Sequence, residues 1–212
     1  LRSYLLYVPS GYNGTEDWPL VINYHQFGFS PNDYMTHTQM NTVADTGHFL
    51  VAYPQGLTVL NPVSMQRGPG WNESEDLSEN DDVGFTNALI EHVNTSYQLE
   101  PARIYATGWG MGAGFAQKAQ CELADKIAAT ASVCGPLTDL LLQTCTPDRP
   151  LSMLFMQGTA DPFIPFDPDP QHPITTMGIY GSVDFLQANN NCTADSTITE
   201  IVDSNTEDSS TV

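Results

Sequence analysis

"IYATGWGMGAGF", residues 104–115, decides how the rest of the chain is read. Ile104-Tyr105-Ala106 is an apolar run with β character, a glycine-flanked turn follows, and then come small residues that a helix tolerates. Strand, sharp turn and helix thus fall within about a dozen positions. This is the layout of the G-x-S-x-G turn, in which a serine is held up for nucleophilic attack. Here the middle position is Gly110. The stretch therefore marks either a hydrolytic turn without its nucleophile or a turn that never carried one.

Working outward, short apolar runs alternate with longer amphipathic ones. "PLVINYH" (19–25), "HFLVAYP" (48–54), residues 103–107, "AATASVCG" (128–135) and "LSMLFMQG" (151–158) read as strands. Residues 31–47 read as a helix that begins near Asn32 or Asp33 and stops at Gly47. Residues 81–98 read as another, with early aspartates suited to the positive end of its dipole. Two more helices are expected at 111–125 and 175–190. Near-continuous apolar strands alternating with helices make a mostly parallel, doubly wound sheet, so the class is α/β. In such sheets ligands gather at the carboxyl ends of the strands. There stand "HQFG", "YPQG", "GWGMG" and "GTADPFIPF".

Composition excludes several functions. The 212 residues carry six Lys and Arg against 25 Asp and Glu, a net charge of −19. A phosphate backbone is repelled by such a surface, so no nucleic-acid partner is expected. No stretch approaches the roughly 18 apolar residues of a membrane helix, and no membrane partner is expected either. Four cysteines, at 121, 134, 145 and 192, allow three pairings that the sequence leaves open. With sequons at Asn13, Asn72, Asn94 and Asn191 they point to an extracellular protein. No C-x-x-C or His–Cys spacing suits zinc, and the acidic stretch 72–82 lacks calcium-loop spacing; no metal or cofactor is expected. The chain enters a strand at once in "LRSYLLYVP" and stops abruptly after "STITEIVDSNTEDSSTV". The expectation is one domain over 1–212, monomeric, incomplete at the C-terminus before the last strand and also at the N-terminus.

The ordered set "YHQFG", "YPQG", "GPGWN", "DDVGF", "ARIYATGWGMGAG", "GTADPFIPF" and "SVDFLQANNNC" resembles the secreted polyhydroxybutyrate-depolymerase and feruloyl-esterase group of α/β-hydrolases over nearly the whole chain. The resemblance implies an α/β-hydrolase fold, a Ser-Asp-His triad, an oxyanion hole and a small-molecule or polymeric ester substrate. Carried over residue by residue, the nucleophile position is Gly110 and the triad acid is Asp161. The oxyanion donors are the N–H of Met111 and that of Gln26 or Phe27. Family members read His-Gly where this chain reads His25-Gln26, and the Gln side chain is expected to crowd the hole. The resemblance places Trp71 near the substrate cleft, with buried packing as its alternative. Trp109, beside the turn, and His25, in the oxyanion loop, complete the candidate substrate-binding set, both with structural alternatives. No histidine stands after Asp161 at the family's position; His172 reads as a surface loop residue, and His37, His48 and His92 as structural.

Three functions follow. The first is an ester hydrolase by descent, of polyhydroxyalkanoate, feruloyl or acetyl ester type, silenced by Gly110. The second is a non-catalytic protein holding a carbohydrate or aromatic ester in the former cleft. The third is an inert fragment.

Overall fold

In the computed structural model, residues 1–73, 79–193, 197 and 199 are described. A six-stranded sheet runs in the order β1-β3-β2-β6-β7-β8. Its strands are β1 (Tyr4–Tyr7), β2 (Trp18–Tyr24), β3 (Leu50–Pro54), β6 (Leu99–Trp109), β7 (Ala129–Val133) and β8 (Ser152–Met156). Only β1 is antiparallel to its neighbour; the other pairings are parallel.

Strand alternation distributes the core over both faces. In β3, Leu50 and Ala52 join the cluster under α3 (Asp82–Ser96) and α4 (Met111–Glu122). Val51 and Tyr53 point the other way, to Tyr34 and Ala44 of α1 (Pro31–Thr38) and α2 (Met40–Gly47). A third cluster packs the end of α4 against α5 (Asp139–Thr144), β8 and α6 (Gly178–Asn189). A disulfide joins Cys121 and Cys145 across α4 and the end of α5, while Cys134 and Cys192 are free. The expected doubly wound α/β sheet is thus present.

Three local features differ from the sequence reading. The helix expected over 31–47 is two helices, parted at Gln39 with φ 50°. Thr36 and Thr38 donate their hydroxyls back to Asn32 O and Tyr34 O at 3.0 Å, a competition that weakens the helix before the break. The cap of α1 is Ser30 rather than Asn32 or Asp33. Ser30 Oγ accepts from Asp33 N while Asp33 Oδ2 accepts from Ser30 N, and Pro31 occupies the first turn, where no N–H is needed. Ser30→Ala should therefore cost about 1 kcal/mol in denaturant unfolding. An unchanged midpoint would show that the capping box contributes nothing.

The third feature is a hairpin of β4 (Leu57–Leu60) and β5 (Arg67–Gly70), hidden because β5 reads Arg-Gly-Pro-Gly. Its turn is set by Asn61, whose Oδ1 accepts from Val63 N and Ser64 N, both at 2.9 Å. The hairpin folds over the carboxyl edge of the sheet and supplies one wall of the cleft there. At the start of α3, Asp82 accepts from Arg2 Nη2 at 2.6 Å and from Asn72 N at 2.7 Å, fixing the chain that leaves the hairpin.

Candidate active site

The turn after β6 lies at the carboxyl edge of a central strand. Gly110, with φ 55° and ψ −118°, caps α4; its N–H donates to Val133 O at 2.9 Å. Side chains other than glycine reach this backbone region only at a cost of about 1–3 kcal/mol. The turn therefore has the strained shape that lifts a nucleophile out of a sheet, with no side chain on it.

The neighbouring loop is built from His25. This histidine is fully buried, its Nε2 accepts from Gly56 N at 3.0 Å, and its Nδ1 lies 2.8 Å from Gln26 O. The accepting Nε2 places the proton on Nδ1, which donates to that carbonyl, and burial lowers the ring's pKa. His25 thus holds a loop in shape as a neutral imidazole.

What the loop presents is the Gln26 carboxamide. Gln26 Oε1 accepts from Met111 N at 2.9 Å and from Phe27 N at 2.8 Å. Two backbone N–H groups converging on one oxygen are what an oxyanion site requires, and here the oxygen belongs to the chain itself. Of the loop's two candidate N–H groups, that of Phe27 is the one directed at this oxygen. The amide also occupies the space above the turn: a Cβ built on Gly110 falls 2.4 Å from Gln26 Nε2 and 2.5 Å from Oε1. The absent side chain at 110 and the long one at 26 fit one another.

Asp161 follows β8 in a tight turn. Its Oδ1 accepts from Phe163 N at 2.8 Å and Ile164 N at 3.0 Å, and Oδ2 lies 3.4 Å from Gln157 Nε2. The carboxylate also faces the Cys134 thiol, whose pKa is raised by burial and by that neighbouring charge. Cys134 directly follows β7 with φ 52°, lines the same cleft as Gly110 and touches Asp161 with its thiol, so it stands between positions 110 and 161. Sequence reasoning did not single out Cys134, and "SVCGP" carries no motif that would have done so.

The cleft measures about 320 Å³. Gln26, Gly110 and Met111 form one end, and Phe27, Val63, Phe163 and Ile164 supply apolar walls. The three expected substrate-binding residues do not line it. Trp71 is fully buried, donates its indole N–H to His25 O at 2.9 Å and stacks on Phe115, so it takes the packing alternative. His25 is buried as described. Trp109 is partly buried and stacks on His37 with centroids 5.1 Å apart. His172 bonds within its own loop, to Ile174 O. Among the described residues no cluster of three or more His, Cys, Asp or Glu could hold a metal ion, and no helix is long and apolar enough to cross a membrane. Part of the acidic stretch weighed for calcium, residues 74–78, lies outside the described residues.

Residues 2–136 match the family model described as Esterase PHB depolymerase. The chain is 31% identical over 201 residues to feruloyl esterase B of Piromyces equi, covering 92% of this chain and 36% of that protein. It is 28% identical to a bifunctional acetylxylan esterase/xylanase of Neocallimastix patriciarum, covering 76% of this chain and 21% of that one. It thus spans well under half the length of both relatives. Among solved structures, an S-formylglutathione hydrolase from Agrobacterium tumefaciens superposes with TM-score 0.63 at 14% identity, over 90% of this chain and 78% of that one. That likeness is one of fold, the α/β-hydrolase fold.

Proposed function

Because the chain belongs to the Esterase PHB depolymerase family, we propose that it is a pseudo-esterase, a protein that holds an ester of carbohydrate or aromatic type without cleaving it. The observation that carries this reading is the Gln26 carboxamide, seated on the two N–H groups an ester carbonyl would need and filling the space of a nucleophile at 110. With no hydroxyl at 110, no acyl-enzyme forms, and loss of one triad member removes several orders of magnitude in rate. The apolar cleft beside the plug remains free to hold a ligand.

The ligand classes follow from the relatives: feruloyl, acetyl or hydroxyalkanoate esters. An extracellular setting is supported by the Cys121–Cys145 disulfide and by exposed sequon asparagines at 13, 94 and 191. Asn72 adds nothing to that support, since it is buried and its amide donates to Asn80 O.

The test is hydrolysis of p-nitrophenyl acetate and butyrate. The chain should show no burst and no turnover above that of the unfolded protein. Saturable hydrolysis abolished by a serine- or thiol-directed reagent would refute the reading. In parallel, titration calorimetry with methyl ferulate and with acetylated xylo-oligosaccharides should find a ligand.

A further inference from the structure

A carboxyl group at the floor of the cleft is unused by the arrangement around Gly110. Glu73 follows the β4–β5 hairpin, with the preceding Asn72 N–H held by Asp82. It is 7 % exposed and lines both the cleft and a second cavity of about 180 Å³ behind it. Gly114 of α4 makes room for it, because a Cβ there would lie 2.3 Å from Glu73 Oε2. No hydrogen bond or ion pair joins its carboxyl to another described residue. Its oxygens are not among the sealed side-chain atoms left without a partner; they open onto the cavities that Glu73 lines, where a ligand group can reach them.

We propose that Glu73 is a specificity-determining residue of the cleft, pairing at its floor with a hydroxyl group of the ligand, whether phenolic or sugar in origin. This rests on the reading of the cleft as a ligand site. Burial pushes the acid up to about 8, so at neutral pH it is a protonated carboxyl with one donor and one acceptor, the complement of a hydroxyl. Lys118 and Glu122 of α4 face it across the second cavity and lie 3.9 Å from one another; in the cleft the thiol of Cys134 is the other titratable group. Glu73 is the one carboxyl among the described cleft-lining residues. A buried ammonium would need several acceptors there, whereas a hydroxyl needs one donor and one acceptor. Phe27, Val63, Met111 and Phe163 supply the apolar sides against which a ring can lie.

The experiment titrates the chain with three probes: methyl ferulate, its 4-O-methyl derivative, and methyl β-xylopyranoside. The first and third separate phenolic from sugar recognition. The second lacks the phenolic hydroxyl. At least one hydroxyl-bearing probe should bind at pH 6, and its affinity should fall about tenfold as pH rises through 8. Glu73→Gln keeps a donor and an acceptor at every pH; at pH 9 it should hold the pH 6 affinity for the xyloside and, with methyl ferulate, whose phenol itself begins to ionise there, should lose less than the parent. Glu73→Met, with folding checked by its thermal midpoint, should weaken binding about tenfold at pH 6. If methyl ferulate is the ligand, capping its hydroxyl should weaken binding similarly. The profile of the unsubstituted chain tests the proposal even if both variants misfold. Binding independent of pH, or unchanged in Glu73→Met, overturns the role of Glu73 and leaves the ester-binding reading standing. Affinity that rises through pH 8 means that the ionised carboxylate, not the protonated carboxyl, is the binding form, and also overturns it. If none of the three probes binds, the Glu73 proposal fails, while the broader reading is judged by its own esters.

Discussion

Gly110→Ser should lower stability by about 3–5 kcal/mol and leave hydrolysis of p-nitrophenyl esters undetectable. The hydroxyl would return to the nucleophile position, but two costs come with it. A non-glycine residue at φ 55°, ψ −118° carries backbone strain of about 1–3 kcal/mol. Its Cβ would also lie within 2.4–2.6 Å of the Gln26 carboxamide, so that amide must leave. Departure breaks its bonds to Met111 N and Phe27 N, each worth about 1 kcal/mol net. Gln26→Ala removes the amide without altering backbone freedom. In the double variant the serine then adds only strain, and a cycle of four chains should give a coupling energy of about 2 kcal/mol, that of the two shared bonds. Additive losses in guanidinium unfolding would mean that positions 26 and 110 are independent. Full stability in Gly110→Ser alone would mean that the turn is unstrained and the plug easily moved.

Stability should fall as pH rises from about 5 to 8, by up to about 1.4 kcal/mol per pH unit, through Glu73. The group's ordinary value is 4.5 and its folded value is about 8. Between these the native chain holds a proton that the unfolded chain has released. Its contribution is thus fully present below about 4.5 and is lost as pH climbs through 8. Integrated over the window, the loss is several kcal/mol, a large share of a domain's usual stability. Urea unfolding from pH 5 to 8 measures it, and Glu73→Gln, which has no proton to release, should flatten the curve. A profile as steep in Glu73→Gln as in the parent would place the linkage elsewhere.

Much of the fold was legible because it rests on local periodicity. Buried strands such as "PLVINYH" and "LSMLFMQ" declare themselves by apolar runs, and the helix over 81–98 by its aspartates and apolar stripe. What escaped were elements without such a signal. β5 is a strand made of Arg67-Gly68-Pro69-Gly70, held by its partner β4 rather than by propensity. α5, six residues long, is capped by Thr138 and tied by a disulfide whose pairing the sequence left open. The break at Gln39 likewise needed the sheet beneath it, because α1 and α2 must each turn a side chain, Tyr34 and Ala44, onto the same face.

The amino-acid sequence by itself determined the class of the sheet, the place of the turn at 110 and the absence of a hydroxyl on it. These depend on residue identity and on short-range pattern. Only the tertiary structure decided what fills that absence. Gln26 and Gly110 lie 84 positions apart, and their fit appears once β2 and β6 run side by side and bring both loops to one edge. The same long-range packing set Glu73 against Gly114, put Cys134 beside Asp161, and took Trp71 out of the cleft into the core. Pattern along a chain records which face a side chain prefers. Which other loop it meets there depends on how the sheet brings distant segments together.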